Sequence, residues 1–263
     1  VTVTAAAGAA ARFEPRLHRK QHNRLDTGHG STWWAPGAVA WWIGVLFMVG
    51  ATCFALGPLP AYVDAVGVRA ADLTFFVGSL FFTSAAFLQY LEAANTLPAG
   101  DAAATGGAGR RVRVLTWEPE RIDWWATAVQ LIGTFAFNLS TLAALVQNLD
   151  AAEAKRFVWR PDAVGSVCFL VASALAWREA GRAWASWRPR LLSWWIALLN
   201  LAGSIAFGVS AVASYVDPQT GQPRNFSVMN LGTFLGAIGF LVGAFLLLPE
   251  RTSTPQVEPN PTQ

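Results

Sequence analysis

Charge is scarce in this chain and is missing where chemistry inside a membrane would need it. Only 13% of the 263 residues are Asp, Glu, Lys or Arg. None of these, and no histidine, falls within six long apolar runs at about Ala38 to Leu56, Leu73 to Leu91, Trp124 to Val146, Ala163 to Trp177, Leu191 to Val216 and Phe226 to Leu248. A proton relay or a charge pair buried in those runs is therefore excluded, because either needs an ionisable side chain at depth. Cysteine is scarcer still. Cys53 and Cys168 lie in the first and fourth runs, which rules out a disulfide framework and leaves both as small apolar fillers. The only histidines, His18, His22 and His29, all precede the first run. His18 and His22 have i, i+4 spacing, but no Cys or acid cluster completes a metal site, and five basic residues surround them. No nucleophile elbow, phosphate-cradling glycine loop or H-x-x-x-H within a run is present. No catalytic residue, cofactor or metal is expected, and nothing outside the runs is long enough for a folded domain.

What the chain has is hydrophobicity, at 54% of residues and a mean hydropathy of +0.37, bunched into runs near the ~20 residues that span a bilayer. The expected fold is an all-α membrane protein of six transmembrane helices. The fourth run is short and ends at Arg178 and Glu179, so either Arg178 snorkels to the headgroups or the helix begins in the preceding loop. Of the 19 Lys and Arg residues, fourteen lie on the side of the two termini and five on the other. Basic residues are retained in the cytoplasm, so both termini are expected inside a bacterial plasma membrane. The net charge of +3 follows from this bias and calls for no nucleic acid. The basic loops and tail would meet anionic lipid.

One pattern occurs three times: Trp-x-Pro, four residues, Trp-Trp, seven residues, Gly, three residues, Phe. It runs from Trp34 through Pro36, Trp41, Trp42 and Gly50 to Phe54; from Trp117 through Pro119, Trp124, Trp125 and Gly133 to Phe137; and from Trp187 through Pro189, Trp194, Trp195 and Gly203 to Phe207. Each copy opens an apolar run that a second run follows, predicting three parallel hairpins at 34–92, 117–179 and 187–250. They are flanked by a largely disordered basic tail (1–33), a cytoplasmic loop (93–116) and a disordered C-tail (251–263). The alanine-rich residues 1–11 read as tail and not as a secretory signal.

Each proline is expected at the first helical position, where its missing N–H costs nothing. Trp41, Trp42, Trp124, Trp125, Trp194 and Trp195 are expected as anchors in the headgroup layer. Gly50, Gly133 and Gly203 lie nine residues further on, about 13 Å deeper. Gly78, Gly165 and Gly236 echo them on the return helices, and Gly232 and Gly236 have G-x-x-x-G spacing, all expected as packing positions. Parallel hairpins argue against inverted-repeat transporters.

Residues 42–50, Trp-Ile-Gly-Val-Leu-Phe-Met-Val-Gly, followed by residues 75–82, Phe-Phe-Val-Gly-Ser-Leu-Phe-Phe, resemble the YrhK-like bacterial membrane hairpin. That family pairs a Trp-led helix bearing Leu-Phe-x-x-Gly with one bearing Phe-x-x-Gly-Ser. The second and third hairpins depart from it, with Gln130 and Asn200 where the first has Phe47. The resemblance implies a hairpin fold and a bacterial setting, in a family of undetermined role.

Polar residues in spans mark where a path could run. Gln130 and Asn200 share a repeat position, and Asn138 and Asn230 lie in the third and sixth runs. They read either as interhelical hydrogen bonds or as the lining of a polar cavity on a pseudo-threefold axis. Glu92, Glu179 and Glu250 each follow a return-helix glycine by fourteen residues, and read either as solvated helix ends or as a carboxylate ring at the mouth. The expected role is a structural or accessory membrane component without catalysis, with a membrane-protein partner or a second copy. The alternative is a passive channel or transporter for ions or small solutes. A conduit would converge polar groups on a central path; an accessory protein would have a dry, glycine-packed axis.

Overall fold

The computed structural model describes residues 15–21, 23, 25–27, 30–96, 112–146, 149–181 and 187–253. Its regular elements are helices: α1 (Pro15–Gln21), α2 (Val39–Leu56), α3 (Pro60–Val66), α4 (Val68–Ala94), α5 (Ile122–Ala144), α6 (Ala151–Glu153), α7 (Arg160–Gly181), α8 (Leu192–Ala213) and α9 (Phe226–Thr252). A π-helical turn, Ala154–Trp159, joins α6 to α7 without a break. Six helices are long and apolar enough to cross a membrane: α2, α4, α5, the continuous Ala151–Gly181, α8 and α9. This is a multi-pass integral membrane protein.

The fourth span takes the second of its two expected courses. It starts at Ala151, in the preceding loop, under a capping box in which the Asp150 side chain accepts from the Glu153 N–H and Glu153 returns the bond to Asp150. The π turn leaves the Val158 carbonyl to the Ser140 hydroxyl of α5, which donates to it at 2.8 Å. It also aims Trp159 Nε1 at the Ala211 carbonyl of α8, 2.9 Å away.

The motif prolines are not at first helical positions. Pro36, Pro119 and Pro189 each sit second in a turn closed by a bond from Ala38 N to Ala35 O, Arg121 N to Glu118 O, or Leu191 N to Arg188 O. The helix begins three residues after each proline. A proline fixes φ for that turn position and suits it well. Its carbonyl then accepts from the second tryptophan of the pair: Trp42 Nε1 to Pro36 O at 2.9 Å, Trp125 to Pro119 at 3.0 Å and Trp195 to Pro189 at 2.8 Å. The first tryptophan of each pair turns inward. Trp41, Trp124 and Trp194 are buried and meet Trp34, Trp117 and Trp187 edge to face at centroid distances of 5.2, 5.3 and 5.1 Å. Three of the six expected anchors are thus packing residues. Trp42, Trp125 and Trp195 are exposed, and so are the pre-proline tryptophans.

Packing follows the chain. Helices α2 and α4, α5 and α7, and α8 and α9 pair, successive pairs adjoin, and α9 packs on α2 to close a ring. Each pair meets at glycine. A Cβ built on Gly50 would lie 2.9 Å from the Gly78 carbonyl oxygen, and one on Gly78 3.1 Å from that of Gly50; the Gly133–Gly165 pair gives 3.2 and 3.1 Å, and Gly203–Gly236 gives 2.9 and 3.0 Å. No side chain fits there without moving a backbone. Gly232 is equally close to its neighbour, with a built Cβ 2.8 Å from the Ala206 oxygen.

Four residues after each of these six glycines stands a buried phenylalanine, and together the six fill the axis. Phe54, Phe137 and Phe207 form one triangle, with ring centroids 6.1 to 6.3 Å apart. Phe82, Phe169 and Phe240 form a second, at 5.5 to 6.1 Å. Within each hairpin the layers touch at 5.4, 5.1 and 5.7 Å, all in the favourable range for aromatic pairs.

Candidate functional site

The carboxylates expected at one mouth of the bundle are there, and they are occupied. Helices α4, α7 and α9 end at that mouth with Glu92, Glu179 and Glu250, and α5 begins there with Asp123. The short helix α1 lies across them. Its basic residues recur at i, i+3 and i+4, which puts Arg16, Arg19 and Lys20 on one face. That face points inward.

Arg16 Nε donates to Glu250 Oε1 at 3.2 Å, and Lys20 Nζ lies 3.3 Å from Oε2 of the same carboxylate. Arg19 grips Glu179 with both guanidinium nitrogens, the second at 3.2 Å, and its NH1 is also 3.1 Å from Asp123 Oδ2. Asp123 is held in turn by Arg121, which also pairs with Glu118. Glu92 is 4% exposed, and its Oε1 has no hydrogen-bond partner among the described residues. Its backbone carbonyl accepts from Asn23 Nδ2 at 3.0 Å. Desolvation by burial works against the charge of Arg16 and Arg19, but the carboxylates of Glu250 and Glu179 outweigh it and hold both guanidiniums above their ordinary range.

Other described residues of the N-terminal segment are tied down as well. Leu17 is buried, Gln21 Nε2 donates to the Ser253 carbonyl at 3.1 Å, and Arg251 donates to the Ser31 carbonyl at 2.6 Å. Asp26 Oδ1 accepts the Val39 N–H at 2.8 Å, capping α2 where Ala38 cannot. The expectation of a disordered, lipid-facing tail is corrected for residues 15–21. Their charges find carboxylates in the protein before they find lipid. His18 lies on α1; His22 and His29 lie outside the described residues, as do 254–263 of the C-tail and most of the 93–116 loop.

The span amides, read either as interhelical hydrogen bonds or as a polar path, do not bond to one another among the described residues. Asn200 faces α9, its Oδ1 only 2.6 Å from a Cβ built on Gly243, and among the described residues no hydrogen bond joins it to Gln130. Asn138 Nδ2 donates to Thr83 Oγ1 of α4 at 2.8 Å, making an interhelical bond. Asn230 and Gln130 are half-buried. The axis positions belong to phenylalanine instead. Sequence reasoning missed Asp123 as a fourth acid, the pairing of α1 with the mouth, and the phenylalanines of the return helices. The i, i+3, i+4 basic spacing after Pro15 marked a charged face on α1 but named no partner for it.

Set against known proteins, the chain matches no family model, no curated protein and no solved structure.

Proposed function

We propose that this protein is a non-conducting accessory or structural component of a bacterial plasma membrane, built as three parallel hairpin repeats about a pseudo-threefold axis with both termini cytoplasmic. The observation that carries this reading is the double triangle of phenylalanines, which leaves the axis dry where a conduit would need polar groups. The matching proline–tryptophan bonds and glycine pairs in all three hairpins support the repeat, and the YrhK-like motif of the first hairpin supports the bacterial setting. The protein acts without catalysis or cofactor, through its cytoplasmic mouth and basic loops, on anionic lipid and on a membrane-protein partner or a second copy.

The test is ion and small-solute flux through liposomes holding the folded protein, with Gln130→Leu and Asn200→Leu variants alongside. The expected result is no flux above protein-free liposomes in any of the three. Flux that both variants abolish would overturn the reading and establish a conduit. A reporter fused after Gln219 should be found outside the cytoplasm; a cytoplasmic signal would overturn the orientation.

A further inference from the structure

The outer face of α8 differs from the matching faces of the other hairpins. Ile205, Gly208, Val209 and Val212 form the floor of a groove of about 620 Å³, walled by Leu170 of α7 and Val228 of α9. Gly208 deepens that floor, since a Cβ built there meets nothing within 4 Å. In the same register α5 carries Phe135, Asn138, Leu139 and Leu142, and Asn138 bridges to Thr83. The corresponding positions of α2 carry Thr52, Ala55 and Leu56. At the centre of this face α5 has the Asn138 side chain and α8 only Gly208.

The groove has the dimensions and polarity of one lipid tail. From Ile205 to Val212 it runs about 10 Å at 1.5 Å per residue, most of the ~15 Å that one leaflet contributes to a ~30 Å hydrocarbon core. At its end stands Arg224. The loop before α9 holds that residue in place through bonds from Arg224 N to Tyr215 O at 2.9 Å and from Asn225 N to Ala213 O at 3.0 Å, with a bridge between Val216 and Pro223. Arg224 is exposed, and no ion pair among the described residues includes it. Among the described residues it is also the only charged one lining the groove.

We propose that this groove binds one anionic phospholipid from the leaflet at the α8–α9 loop, with an acyl chain over Gly208 and the headgroup phosphate against Arg224. A guanidinium matches a phosphate in both charge and donor geometry. A zwitterionic headgroup would bring an ammonium for which the lining holds no carboxylate.

The test is native mass spectrometry of purified, delipidated protein titrated with an equimolar mixture of phosphatidylglycerol and phosphatidylcholine of identical chains. Wild type should retain one phosphatidylglycerol with at least fivefold preference. Gly208→Leu should reduce the retained lipid at least fivefold; the open space and the better helix propensity of leucine keep this variant folded. Arg224→Gln, at an exposed loop position, should keep a lipid bound but bring the preference within twofold. Equal retention of the two lipids by wild type would overturn the proposal. So would undiminished phosphatidylglycerol on Gly208→Leu, or undiminished preference in Arg224→Gln.

Discussion

The middle of the bundle and its charged mouth are held together by opposite means. In the middle, six glycines and six phenylalanines form contacts that recur hairpin by hairpin, the glycine contacts at 2.9 to 3.2 Å and the ring contacts at 5.1 to 5.7 Å. At the mouth the glutamates recur but their partners do not: a single helix, α1, distributes three cations unequally over Glu250, Glu179 and Asp123. Shape complementarity acts in a medium where hydrophobicity gives no advantage between helices, so it can be copied to every hairpin. A charge clasp needs a partner of opposite sign, and the chain supplies α1 once. The middle therefore sets the fold, and the mouth sets one asymmetric feature on it.

The sharpest way to break this contrast is to put a side chain into a glycine pair. Gly236→Leu drives a Cβ against the packed Phe207 ring at 2.9 Å and the Gly203 carbonyl at 3.0 Å, so that ring and backbone must both give way. It should abolish the folded monodisperse species in size-exclusion chromatography, a loss of more than about 3 kcal/mol. Recovery of a normally stable protein would show that the middle is softer than its geometry. Next in size is Glu250→Gln, which leaves Arg16 and Lys20 facing a neutral amide in a buried site. Breaking one side of such a pair costs about 3–5 kcal/mol, spent here on α1 alone. Amide exchange across 15–21 should speed up at least a hundredfold while exchange in α2 to α9 stays within threefold. Acceleration spread over all helices would erase the distinction between clasp and bundle.

A smaller effect tests whether the layers are equivalent. Phe54→Leu and Phe240→Leu should each cost about 1–1.5 kcal/mol in a denaturant titration in detergent, with values within 0.5 kcal/mol of each other. The smallest effect concerns the tryptophan bonds. Trp42→Phe, Trp125→Phe and Trp195→Phe each remove one donor to a proline carbonyl at a partly exposed site, and each should cost about 0.5 kcal/mol. One variant costing several times more than the other two would mean that the three hairpins share a motif without sharing its energetics.

Much of the bundle was legible because the membrane imposes long apolar runs, and because tryptophan, proline and glycine at fixed spacings have few other uses. The return helices were read less well. Their Gly78–Phe82, Gly165–Phe169 and Gly236–Phe240 pairs carry the same four-residue step as the outgoing helices, but no Trp-Trp marks the register in front of them. The prolines were placed three residues too far into their helices, because proline suits both a turn and a first helical position. The span amides left two readings open because an amide in a span reports only that it needs a partner, and Thr83 serves Asn138 as well as a cavity would. At the mouth the three glutamates were visible but Asp123 and the occupant were not, since a pairing between Arg16 and Glu250 spans 234 residues and leaves no local trace.

The closing of the ring by α9 against α2 also governs how the molecule can be made. Of the six spanning helices described, α2 is synthesised before the rest, yet the one that covers its open flank, α9, follows some two hundred residues later. At about 5–20 residues per second, α2 must wait roughly 10–40 s with that flank exposed to lipid or to a helper. The clasp cannot engage fully any earlier, because Glu250 lies near the end of α9. Nascent chains that stop short of α9 should therefore be recognised and degraded as unfinished, although every helix they contain is already inserted.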